Sequence, residues 1–182
     1  VVHVTCKEAL QEIQEAQGKG INVGGETCTH YLTVTKDVLD DPDFNKAAQY
    51  VCSPALRSQE HLDALWEALN RGLLTAVSSD HCGIDLAELK QAGRDNFTNI
   101  PNGAPGAGDR LHMLWTEGVA KGKISKEKLV EVFATEPAKI NGIYPRKGAL
   151  EIGSDADIVI FDPEYRGTIR LEDNPNGVDY NI

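Results

Sequence analysis

The chain has 182 residues, 41% hydrophobic and 25% charged, a balance that excludes disorder, collagen and coiled coil and leaves enough length to bury a sizeable core. Lys and Arg number 18 against 28 Asp and Glu, and the resulting net charge of −10 repels phosphate backbones and anionic lipid, so neither nucleic acid nor membrane is an expected partner. No apolar run approaches the roughly 20 residues of a bilayer crossing and no leader pattern opens the chain, so a soluble, cytoplasmic protein is expected.

In chain order, residues 1–5 read as an apolar strand that begins without a cap, as if the sequence entered in mid-element. Ala9, Ile13 and Ala16 then recur at helical spacing until Gly18-Lys19-Gly20 stops them. A second strand is predicted over 21–27, followed through His30-Tyr31-Leu32 by an acidic stretch and a short apolar run ending at Ser53-Pro54, a section that reads mostly as loop. Helical spacing resumes at Leu62, Leu65, Trp66 and Leu69, ends at Gly72, and gives way to a third strand over 73–78.

Strands alternating with helices at this spacing predict a parallel sheet covered by helices, an α/β chain, either doubly wound or closed as a barrel. The absence of a Gly-rich phosphate turn after any strand weakens the doubly wound form. Beyond Cys82 runs a loop rich in Gly, Pro and Asn over 99–106, then two predicted helices over 110–120 and 126–139, the second capped by Ser125. From Tyr144-Pro145 the texture changes, and residues 148–153 and 156–162 read as short strands joined by a Gly-Ser-Asp turn. The chain stops on another strand-like run, so a piece of a longer protein is expected.

In parallel α/β folds chemistry collects at the C-terminal ends of the strands, which points to His3, to 26–30 and to 78–82. His3 and Asp80 are the sharpest pair, since imidazole and carboxylate together suit a Lewis-acidic metal such as zinc, although two ligands do not make a site. Taken singly, His3 also reads as a hydrogen-bonded strand residue and Asp80 as a loop cap. His30 and His81 read as loop anchors, His61 and His112 as surface or packing residues, and Arg57 and Arg110 as partners in structural ion pairs. Ser53 before Pro54 and Asn102 before Gly103 lie where a turn leaves backbone groups open to a polar ligand, or are plain turn residues. Cys6, Cys28, Cys52 and Cys82 fit neither zinc-knuckle spacing nor a disulfide framework and read as reduced thiols.

The segments Val1-Val2-His3-Val4-Thr5-Cys6-Lys7-Glu8-Ala9, Gly25-Glu26-Thr27-Cys28-Thr29-His30-Tyr31-Leu32, Cys52-Ser53-Pro54-Ala55-Leu56-Arg57, Ser79-Asp80-His81-Cys82 and Ile100-Pro101-Asn102-Gly103, with the stretch from Tyr144 to Pro163, together resemble the hydantoinase and dihydropyrimidinase branch of the cyclic amidohydrolases. The resemblance implies the C-terminal part of a (β/α)8 TIM-type barrel over 1–144, followed by strands of a small β-sandwich over 145–182. It implies two divalent metal ions, zinc by expectation, bridged by a carbamylated lysine outside this sequence. His3 and Asp80 take metal-ligand positions, Asp80 is also the catalytic proton carrier, and Ser53 and Asn102 take substrate-binding positions. The implied substrate is a small cyclic imide, opened to an N-carbamoyl product, and the implied assembly is a homotetramer. Ala55 departs from the family pattern, which often has a second proline there.

The same resemblance leaves two other readings: an allantoinase or dihydroorotase acting on a different ring, and a non-catalytic dihydropyrimidinase-related adaptor. Retention of both His3 and Asp80 argues against the adaptor. A chain carrying about three of eight barrel strands is expected to be inactive and poorly folded alone.

Overall fold

The computed structural model describes residues 1–173 and 175–182. Its centre is a short parallel sheet. Strand β1 (Gly25–Cys28) pairs with β2 (Leu74–Ser78), Thr27 facing Val77 and Cys28 facing Ser78, with a register shift between Gly25 and Glu26. The predicted strand over 1–5 lies along the other side of β1: Glu26 N–H donates to Val1 O at 2.9 Å and Val4 N–H to Glu26 O at 2.8 Å. A regular parallel register would return the bond from residue 3. The extra residue is His3, whose φ of +54° marks the bulge. The three extended segments are thus adjacent in chain order, each joined to the next by helix, as the sequence predicts.

Helix α1 (Lys7–Gly18) buries Leu10 and Ile13, and the periodicity of the sequence is the reason: those positions share one face. The section expected to be mostly loop instead holds α2 (Thr29–Thr33), a 3-10 turn over Lys36–Asp40 and α3 (Phe44–Gln49). These are too short for a periodic pattern to register, and α3 is set by a cap, Asp43 accepting from Asn45 N–H at 3.0 Å. Helix α4 (Gln59–Arg71) buries Leu62, Leu65, Trp66, Ala68 and Leu69 and ends at Gly72, which takes the left-handed φ of +75°. The Trp66 indole N–H reaches Leu32 O at 2.9 Å, satisfying a carbonyl buried beside it.

Both predicted late helices form, with wide turns inside them. Helix α5 (Arg110–Met113) runs into a π-helical segment over Leu114–Val119, closed by Ala120 N–H donating to Trp115 O at 2.8 Å. A Cβ on Gly118 would lie 2.9 Å from the Trp66 ring, so glycine lets this turn approach the indole closely. Helix α6 (Lys126–Val130), a π-helical segment over Glu131–Thr135 and α7 (Glu136–Ile140) form one rod. Its cap is as predicted, Ser125 Oγ accepting from Lys128 N–H at 3.0 Å. Pro137 has no N–H to give to the carbonyl four residues back, and the wide turn immediately before it accommodates that loss.

Among the described residues, the short strands expected over 148–153 and 156–162 have no pairing partner. The turn between them is present, Ser154 N–H bonding Glu151 O at 3.1 Å, but the flanking segments have no neighbouring strand and leave Ile152 and Ile160 fully or nearly exposed. An alternating apolar pattern specifies a face, while a ladder also needs a second chain segment. Phe161 packs on Trp115, with ring centroids 4.9 Å apart, and the last residues return to the loop that follows β2.

Candidate metal centre and substrate turns

β1 lies between the segment over 1–5 and β2, so His3 and Asp80 flank it about two strand spacings, roughly 10 Å, apart. Their side chains close that gap across its C-terminal end: His3 Nε2 lies 3.3 Å from Asp80 Oδ1, each side chain about one-third exposed or less. Among the described residues they are the two non-glycine positions with left-handed φ, +54° and +45°. Such backbone costs about 1–3 kcal/mol per residue and is retained where surrounding structure holds a side chain to a task. An imidazole nitrogen and a carboxylate oxygen converging at an open strand end fit a divalent metal chemically. No group of three or more metal-ligating side chains occurs among the described residues.

His30 lies close by on α2, 5% exposed, with Nε2 lacking a hydrogen-bond partner among the described residues. Burial, reinforced by the nearby His3, pushes its pKa down to about 4, which keeps it neutral at ordinary pH. His81 is exposed and behaves as the expected loop anchor, Nδ1 lying 3.4 Å from Gly106 N–H. His61 accepts from Lys7 N–H at 3.2 Å, and His112 packs toward Phe161.

The Ser53 and Asn102 turns are neighbours. Gly103 N–H donates to Val51 O at 3.0 Å, drawing the two loops together. Ser53 and Asn102 are both exposed, and among the described residues their backbone N–H and C=O groups have no hydrogen-bond partner. The Ser53–Pro54 peptide is cis, and the turn is anchored from below by Tyr31, whose hydroxyl donates to Pro54 O at 2.8 Å. That anchor bears on Ala55: the turn is held through its carbonyl, independently of a second proline. Gly103 has φ +146°, and a Cβ there would lie 2.3 Å from the Cys82 Cβ, so this turn admits only glycine.

The arginines differ from expectation. Arg57 donates to Thr5 Oγ1 at 3.3 Å, and Arg110 donates to Val77 O at 3.1 Å with its guanidinium over the Phe133 ring. Neither forms an ion pair among the described residues: the partly buried Arg110 spends its guanidinium on a backbone carbonyl and a ring, and Arg57 reaches the Thr5 hydroxyl. Lys90 escaped the sequence reading altogether. It is completely buried, yet nothing in its surroundings, Leu89-Lys90-Gln91, separates it from a surface lysine; only its nearness to the Gly- and Pro-rich loop offered a hint.

The family model described as the amidohydrolase family matches residues 2–180. A D-hydantoinase of Geobacillus stearothermophilus is 45% identical over the whole of this chain, and one of Ralstonia pickettii is 47% identical over 99% of it. A dihydropyrimidinase of Arabidopsis thaliana is 40% identical over 100%. The chain spans 38%, 39% and 34% of the length of these three relatives. Among solved structures, a dihydropyrimidinase from Brevibacillus agri superposes with a TM-score of 0.96 at 49% identity, covering 100% of this chain and 39% of that one. An L-hydantoinase from Arthrobacter aurescens superposes over 86% of this chain, and 34% of its own length, with a TM-score of 0.76 at 40% identity. The parallel α/β core, the paired His3 and Asp80 and a match over nearly the whole length agree: the chain belongs to the amidohydrolase family.

Proposed function

We propose that the protein containing this chain is a metal-dependent hydrolase that opens cyclic imides and amides, of the hydantoin and dihydropyrimidine class, to N-carbamoyl amino acids. The observation that carries this reading is the 3.3 Å approach of His3 Nε2 to Asp80 Oδ1 on left-handed backbone, in a chain 45% identical to a D-hydantoinase. In this reading residues 1–144 are the closing part of a (β/α)8 barrel, and residues 145–182 are sandwich strands whose pairing partners lie elsewhere in the protein. His3 and Asp80 hold a metal ion; the other ligands, including a carbamylated lysine, come from outside the chain.

When bound, divalent metal ions supply a hydroxide at neutral pH and draw electron density from the ring carbonyl. Asp80 carries the proton. Its carboxylate accepts the hydroxide proton as the oxygen bonds to the carbonyl carbon, then delivers it to the ring nitrogen as the C–N bond breaks. The open backbone groups of Ser53 and Asn102 orient the ring so that this carbonyl faces the nucleophile. Sequence retention of both ligands favours this enzyme over a non-catalytic adaptor.

The test uses the full-length protein, with opening of hydantoin and dihydrouracil followed with and without a chelator and in an Asp80→Asn variant. Chelation abolishes turnover in this reading, and loss of the proton carrier lowers kcat by roughly 100-fold or more. Turnover that survives both treatments rules the mechanism out.

A further inference from the structure

Lys90 is a buried cation with no carboxylate partner among the described residues. Its Nζ donates to Ala48 O at 2.8 Å, Val51 O at 3.2 Å and Gly103 O at 2.7 Å, so each of the three ammonium protons has a backbone acceptor. It forms no ion pair among the described residues, and the Tyr180 ring centroid lies 5.8 Å from Nζ. Burying an unpaired charge is costly, and a leucine or methionine would fill the same space without that cost.

The three acceptors explain what the charge does. Ala48 and Val51 lead into the Ser53 turn, and Gly103 follows Asn102 directly. Val51 O also receives Gly103 N–H, so one carbonyl is shared by the lysine and the opposite turn. The segment that carries Lys90 is itself fixed on two further sides. Asp179 accepts from Leu86 and Ala87 N–H at 2.7 and 2.8 Å, and the Gln91 and Arg94 side chains both reach Asn45 of α3. A flexible side chain has thereby been given a rigid mount, with its charged end between two loops whose outer residues are exposed.

We propose that Lys90 is a positioning residue for the cyclic substrate, its ammonium bolting the Ser53 turn to the Asn102 turn and fixing the separation of the backbone groups that hold the ring. The inference rests on the function proposed above. Lys90 touches no reacting atom; it acts through the two turns. Because both turns hold the ring in ground state and transition state alike, loosening them raises KM more than it lowers kcat.

The experiment uses the full-length, metal-loaded protein with Lys90→Met, which keeps the length and removes every donor, and Lys90→Gln, which keeps two donors on a shorter stem. Metal content, thermal unfolding, and kcat and KM for dihydrouracil are measured on each. The expected result is full metal content, a KM raised about tenfold in whichever variant folds cooperatively, more in Met than in Gln where both do, and kcat within about threefold of the parent. A lowered unfolding midpoint with unchanged KM overturns the proposal and reduces Lys90 to a structural residue, while leaving the hydrolase reading intact. Absence of turnover by the unmodified protein overturns both.

Discussion

His30 is an imidazole with its charge removed by its surroundings. It is 5% exposed, its Nε2 has no hydrogen-bond partner among the described residues, and its pKa is pushed down from 6.5 to about 4. Between those two values the unfolded chain binds a proton that the folded chain refuses, so stability rises with pH there and is lost as pH falls from about 6.5 to about 4. The loss is on the order of 3 kcal/mol by linkage. Replacing His30 with Gln removes this part of the acid sensitivity, so urea midpoints of the full-length protein measured from pH 7 to pH 4.5 should fall less steeply in the variant. Parallel slopes would show that His30 is not the group responsible. The thiols divide by burial in the same way: Cys28 is fully buried with its pKa pushed up to about 12, and burial also raises that of Cys52, so both are poor nucleophiles.

At the scale of elements, α4 and the π-helical segment over Leu114–Val119 meet at one indole. Trp66 is 3% exposed, bonds Leu32 O through its N–H, and lies close against Gly118, with Lys123 Nζ 5.1 Å from its ring centroid. Trp66→Phe leaves the Leu32 carbonyl buried without a donor and opens a void over Gly118. The expected cost is about 2–3 kcal/mol, read as a shift in the urea midpoint at unchanged slope. A cost within about 0.5 kcal/mol would mean that the packing around Gly118 collapses onto the smaller ring. The exposed ion pairs between neighbouring turns, such as Lys19 with Glu15 or Arg71 with Glu67, are worth far less individually than this single buried contact.

For the molecule as a whole, residues 150–160 are the unfinished part. Leu150, Ile152, Ile158, Val159 and Ile160 are all more than half exposed, with no neighbouring strand among the described residues. Among the described residues, the segment over 1–5 and β2 lie at the two sides of the small sheet and present further unpaired edges. Residues 1–182 produced alone should therefore bind a hydrophobic dye, associate with themselves and unfold without a sharp transition. A soluble monomer with a cooperative melt would contradict this.

The sequence by itself determined the elements whose cause is local. Periodic apolar positions specify α1 and α4, Gly72 ends α4, Ser125 starts α6, and an apolar run followed by Ser-Ser-Asp places Asp80 just past the end of a strand. Motif likeness likewise singled out His3, Asp80, Ser53 and Asn102. Tertiary structure alone decided what depends on residues far apart in the chain meeting. It set the bulge that turns His3 toward Asp80 and the burial that neutralises His30. It also converted Lys90 from an ordinary lysine into a fastening between two turns. The physical reason is one and the same: periodicity and capping act within a few residues, whereas desolvation and hydrogen-bond partnership are fixed only once distant segments have packed.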